Sequence, residues 1–255
     1  MSEPVHGEPV QGEPAAPLEP MGYLDRLIGT LFDPKPAFAD LAARPTGWWL
    51  PLGLLMVITV GFVLAFSQHV GWERFMRQQL EQSPRAQQLS VEQREQALQQ
   101  QLGFVPIVAP IQGAVAWPLI TLVTGGVFLF VFNILLGTQL TFRQVYAVVC
   151  YGNLPNALGG LLAVVVMFIK DPADFDLQNP VASNLGAFLD PTTTPKWLVS
   201  AGSSVDLFSA WCLLLLATGF AAAARKISWS KSFTWVVITW LLWVVVKSLA
   251  SWIFS

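Results

Sequence analysis

Charged residues are scarce in this chain: they make up 12% of its 255 residues, where a typical soluble domain carries roughly 25%. Almost all of them lie in the first 47 residues, between Glu73 and Glu95, or in short links between apolar runs. A soluble surface would scatter them. The net charge of −2 gives no basic field for nucleic acid. Histidine is nearly absent, and His6 and His69 are too far apart to share a helix as a metal pair. The two cysteines, Cys150 and Cys212, both fall inside apolar runs, where they read as small hydrophobes rather than a disulfide or a redox pair. The sequence has neither a glycine-rich phosphate loop nor a GxSxG elbow. The acidic DPADFD, with Asp171, Asp174 and Asp176, lacks the length and the glycine of a calcium loop and reads as a solvated loop that caps turns. These shortages leave no catalytic constellation, so the expectation is a protein that is not an enzyme and uses no cofactor or metal.

What the chain has in excess is apolar sequence, at 54% of residues. The opening MSEPVHGEPVQGEPAAPLEP is the exception. It is rich in proline and glutamate and has too little apolar mass for a core, so residues 1–20 read as a disordered tail. Being acidic and without an apolar centre, it does not read as a signal peptide. MGYLDRLIGTLF then places Met21, Leu24, Leu27, Ile28, Leu31 and Phe32 at helical spacing, with Asp25 and Arg26 on another face. That pattern suits a helix on a membrane surface or against a bundle. Asp33-Pro34 stops it, and Pro36 opens a second short helix through Phe38 and Leu41. Residues 21–46 are therefore expected to be amphipathic interfacial helices, with Trp48 and Trp49 marking the water boundary.

Residues 47–255 read as a membrane domain of five spans near 48–66, 113–136, 146–168, 205–224 and 233–254, each close to the ~20 residues that a ~30 Å bilayer core requires. Between the first two, Trp72, Phe75, Met76 and Leu80 share a helical face, Ser83-Pro84 breaks it, and Ser90 with Gln93 forms a capping-box signature for a helix running towards Leu102. The fold class is thus an all-α integral membrane protein, a bundle of five transmembrane helices with an N-terminal amphipathic interfacial region.

The third span carries its own breakers, in YGNLPNALGGLL. On a helix Gly152, Asn153, Asn156, Gly160 and Ala163 share one face, while Leu154, Leu158, Leu161 and Val165 share the other. Small residues let backbones approach closely in lipid, so the first face is expected at a helix contact and the second towards the tails. Pro155 frees the carbonyl of Tyr151, which an asparagine or a neighbouring helix must serve. A solute or ion path lined by the two amides is the alternative use. Two charges also fall inside spans. Asp206 opens the fourth and Lys247 lies about two turns before the end of the fifth. They are expected either to pair, with Trp243 covering the lysine stem, or to act separately, Asp206 as a helix cap and Lys247 by snorkelling.

Four stretches in this order carry a family resemblance: LFDPKPAFADLAARPTGWWLPL before the first span, FRQVYAVVCYGNLP opening the third, NPVASNLGAFL in the loop before the fourth, and VDLFSAWCLLLLATGF within it. From about Leu24 to Trp252 the chain resembles the prokaryotic branch of the Yip family, the Yip-one domain proteins, whose eukaryotic relatives interact with Ypt/Rab GTPases. The resemblance implies five spans, a cytoplasmic N-terminus, residence in a bacterial cytoplasmic membrane and no catalytic residues. The Asp-Leu-Tyr-Gly-Pro motif of the eukaryotic relatives has no counterpart here, so GTPase binding is not implied. Two functional classes stay open. One is a non-enzymatic scaffold or adaptor with a membrane or cytoplasmic protein partner at the N-terminal region. The other is a small permease or channel component with a site between spans 3, 4 and 5. The absence of an internal repeat leans against the second. Lys35, Arg44, Arg143, Arg225, Lys226 and Lys231 on the N-terminal side, against Arg74, Arg77, Arg94, Lys170 and Lys196 opposite, add a small positive-inside bias.

Overall fold

The computed structural model describes residues 20–82, 88–177, 179–190 and 193–253; the tail before Pro20, the Ser83-Pro84 break and Phe254 lie outside them. Two short helices come first. Helix α1 (Tyr23–Phe32) ends at Asp33, and α2 (Pro34–Ala43) opens on prolines, whose missing N–H costs nothing in a first turn. Helix α3 (Trp49–His69) crosses to the distal side, the side opposite α1 and α2, where α4 (Trp72–Gln82) follows. Helix α5 (Val91–Phe130) returns and continues as a widened turn, Val131–Leu135. Helices α6 (Phe142–Gly152) and α7 (Leu154–Ile169) together cross again. After a distal loop and the short α8 (Lys196–Gly202), α9 (Leu207–Ala224) and α10 (Trp229–Ile253) complete the bundle.

Among the described residues five stretches are long and apolar enough to cross a membrane: Trp49–His69, Val91–Leu135, Phe142–Ile169, Leu207–Ala224 and Trp229–Ile253. Their outer faces expose large apolar side chains such as Val57, Ile107, Val123, Phe168, Leu242 and Val246. A belt of this extent is untenable in water and natural in lipid. The chain is an all-α, multi-pass integral membrane protein.

The second span differs most from its sequence reading. The helix capped by Ser90 and the apolar run form one rod, because nothing between them terminates the helix; Pro106, Pro110 and Pro118 are carried within it. The capping box itself is present, with Gln93 N–H donating to Ser90 Oγ at 3.2 Å and Ser90 N–H to Gln93 Oε1 at 3.0 Å. At ~1.5 Å per residue the rod is longer than a ~30 Å bilayer core. Its polar first turns stand on the distal side, where Arg77 of α4 donates to Glu73 at 2.9 Å and Glu95 at 3.2 Å.

On the N-terminal side the core is aromatic. Phe132 and Phe220 stack with ring centroids 4.4 Å apart, and Phe128 lies 4.8 Å from Phe220. Helix α2 enters this core: Ala37 and Phe38 have 0% exposure, and Phe38 fills the groove that Gly219 leaves in α9. Helix α1 turns the other way. Its polar Arg26 and Thr30 face inward, while Leu24 and Phe32 are 70% and 75% exposed. On the distal side Phe66, Met167 and Phe175 form a second, smaller core.

Candidate functional site

The breakers of the third span do interrupt it. Helix α6 ends at Gly152, Asn153 leaves the helical conformation, and α7 restarts at Leu154 with Pro155 in its first turn. The Asn153 side-chain amide donates to the Val149 carbonyl at 2.8 Å, serving that carbonyl rather than the one of Tyr151. The Asn156 amide donates to Asn153 Oδ1 at 3.1 Å and reaches Cys212 Sγ of α9 at 3.3 Å. Gly152 and Gly160 mark close helix approaches. A Cβ on Gly152 would stand 2.6 Å from Leu216 Cδ2, and one on Gly160 would stand 2.8 Å from Ile58 Cγ2 of α3. The opposite face needs a correction. Leu161 and Val165 are exposed, but Leu154 is 2% exposed, because the break at Asn153 changes the helical phase and turns this leucine into the core.

Asn156, Gly160 and Asp206 line one cleft of about 350 Å³, bounded by α3, α5, α7, the distal loop and the start of α9. Its walls include Ile58, Phe62 and Phe208. Polar groups near its edge are largely engaged, as where Trp117 Nε1–H donates to Thr59 Oγ1 at 2.8 Å. The distal loop is tied to α9 by backbone bonds, Leu185 N–H to the Val205 carbonyl at 3.1 Å and Leu207 N–H to the Ser183 carbonyl at 3.4 Å.

Asp206 and Lys247 do not form the direct pair. Asp206 caps α9, accepting from Phe208 N–H at 2.7 Å and Ser209 N–H at 3.2 Å, and from the Ser209 hydroxyl. The Lys247 ammonium donates instead to Ser204 Oγ at 3.0 Å and Ser203 Oγ at 3.3 Å. The serines before α9 reach the lysine first, and the cap holds the carboxylate back on its own helix. Trp243 is exposed rather than laid over the lysine stem. Lys247 is therefore apart from the cleft, which spans 1, 2, 3 and the beginning of 4 frame, rather than spans 3, 4 and 5.

The sequence reading missed a buried ion cluster. Arg26 of α1 and Asp40 of α2, 3% and 2% exposed, form an ion pair, and Arg44 binds the second carboxylate oxygen of Asp40. Arg26 also donates to the Thr46 carbonyl at 2.7 Å, and Tyr151 Oη–H donates to the Gly47 carbonyl at 3.3 Å, which links the cluster to the third span. Gly47 sits at φ +76, where the chain turns tightly enough to permit this and where a side chain would strike the Tyr23 ring. Burial pushes the Asp40 carboxyl up, but hydrogen bonds from Arg44 and Arg26 outweigh it and hold the group below its ordinary value. A carboxylate so engaged is a clamp rather than a proton acceptor. One sequence signal was available: Asp40 and Arg44 stand one turn apart, and Arg26 stands one turn from Thr30 on a polar face of α1.

None of the curated proteins and none of the solved structures compared matches the chain. The Yip1 domain matches residues 28–250. The match takes in α2, the clamp residues Asp40 and Arg44, the cleft, the first four spans and most of the fifth, so this multi-pass membrane protein belongs to the Yip1 domain family.

Proposed function

We propose that the chain is a non-enzymatic scaffold or adaptor of the cytoplasmic membrane, with its N-terminal region as the part that meets partners. The carrying observation is the clamped N-terminal pair. Arg26, Asp40 and Arg44 fix α1 on a bundle whose core already contains α2, and α1 is left with Tyr23, Leu24, Ile28 and Phe32 facing outward. A helix held by buried charge with its apolar row turned outward is a presented surface, not a collapsed one. Tyr23 lies 6.0 Å from Trp49 at the mouth of the first span, which makes that row continuous with the lipid-facing belt. In this reading α1 rests at the headgroup layer of the cytoplasmic leaflet, where a protein partner can reach it. The basic link of Arg225, Lys226 and Lys231 supports the same orientation.

The test is affinity purification of the full chain from native membranes in mild detergent, comparing the natural protein with the double variant Ile28→Ser, Phe32→Ser. A protein partner held by the first and lost from the second supports the reading. Equal recovery from both, or co-purification of a small molecule with no protein, removes it.

A further inference from the structure

The cleft carries a carboxylate on its wall that, among the described residues, no basic residue touches. Asp206 is on its wall, and the hydrogen bonds to that carboxylate come from neutral donors in the first turn of α9. Lys247 spends its ammonium on Ser203 and Ser204 and acts on Asp206 only across a distance, and among the described residues no ion pair joins Asp206 to any cation. Among the described residues no lysine, arginine or histidine lines the cleft. Asp206 stands just before the fourth span, half-buried, with neutral donors on its oxygens and room for a cation on the cleft side. The rest of the lining is mainly apolar, with Leu55, Ile58, Phe62 and Phe208 among its walls and the small Gly160 and Ala163 between them. Its volume of about 350 Å³ falls within the ~300–1,000 Å³ of small-molecule sites. The distal loop that closes one wall includes Ala182 at φ +53, a left-handed backbone at a residue other than glycine.

We propose that this cleft binds an amine-headed amphiphile, with its ammonium on the Asp206 carboxylate and its aliphatic chain along Leu55, Ile58 and Phe62. The charge selects the head: a phosphate or carboxylate would meet Asp206 with like charge, and a neutral head would leave the carboxylate as it is. A lipid with a primary-amine headgroup and a free long-chain amine share this chemistry.

Asp206 is also the cap of α9, and one substitution separates the two roles. Asparagine caps a helix as well as aspartate does but carries no charge, so Asp206→Asn keeps the helix start and removes the attraction. The full chain, in nanodiscs of phosphatidylcholine, is unfolded thermally with dodecylamine or with dodecanol as probe. Dodecylamine raises the natural protein's midpoint by several degrees and dodecanol by clearly less. In Asp206→Asn the amine's shift falls to that of the alcohol. Ala163→Phe, which fills the cleft and leaves Asp206 in place, loses the amine's advantage too. Equal shifts from the two probes in the natural protein, or an amine shift retained in either variant, overturns the proposal and leaves Asp206 a cap only. Nanodiscs containing phosphatidylethanolamine distinguish the sources. A lipid occupant raises the natural protein's midpoint without probe and blunts the dodecylamine shift, neither effect occurring in Asp206→Asn. A full dodecylamine shift in both lipids assigns the site to free amines.

Discussion

Asp40 receives two guanidinium groups while 2% exposed, and removing it would leave Arg26, 3% exposed, as a buried charge without its counter-ion. Breaking such a pair from one side costs about 3–5 kcal/mol, so Asp40→Ala should lower the detergent unfolding midpoint severely. Arg44 is 36% exposed, and Arg44→Ala should cost about 1 kcal/mol because water screens what it contributes. The same carboxylate gives a pH dependence. Its folded-state value is depressed below the ordinary 3.8. Its contribution is therefore complete above that ordinary value and is lost as pH falls through the folded one. A stability profile below about pH 4 should show an acid-side decline in the natural protein that is missing in Asp40→Asn; identical declines would mean that Asp40 does not titrate on unfolding.

The elements hold together where glycines let them approach. At Gly219 a Cβ would meet Val148 Cγ1 at 2.6 Å and the Phe38 ring at 2.8 Å, neither the end of a flexible chain, so α9, α6 and α2 would have to part. Overpacking of this kind costs about 1–3 kcal/mol, and Gly219→Ala should destabilise by that amount. Gly61 has open space, and Gly61→Ala should be neutral or gain up to about 1 kcal/mol of helix propensity. Comparing the two melting temperatures checks the packing directly. Within the third span, Gly160→Leu should cost more than Leu158→Phe, since the leucine would strike Ile58 of α3; equal losses would show that Gly160 is not at a helix contact. Gly152 and Gly160 stood out in the sequence as small residues, but they do not form one face: Gly152 meets Leu216 of α9 and Gly160 meets Ile58 of α3. The break's effect on Leu154 was not legible, because periodicity extended through Asn153 assumes a phase that the backbone abandons there. The depth of α2 was also hidden, since the groove that accepts Phe38 is made by Gly219, at the far end of the chain.

At the scale of the whole molecule, the five crossings were legible because a bilayer demands long apolar runs and these runs are well separated by charge. What joins distant segments was not. The Arg26–Asp40 clamp needs the Asp33-Pro34 turn to fold α2 back on α1, and the cleft needs the distal loop to return beside α9. Lys247 was placed on the correct side of the bundle, yet its partners are serines whose role no spacing announces. With five crossings, Lys35 and Lys226 share one side, while Glu92 and Asp174 share the other. Single cysteines at these four positions, in a chain with Cys150 and Cys212 replaced by alanine, can be labelled with an impermeant maleimide in intact cells. We expect positions 92 and 174 to label in intact cells, and positions 35 and 226 only after permeabilisation. Labelling of 226 together with 174 in intact cells, or of 35 without 226, would contradict the five-span bundle, and the fully reversed pattern would contradict a cytoplasmic N-terminal platform.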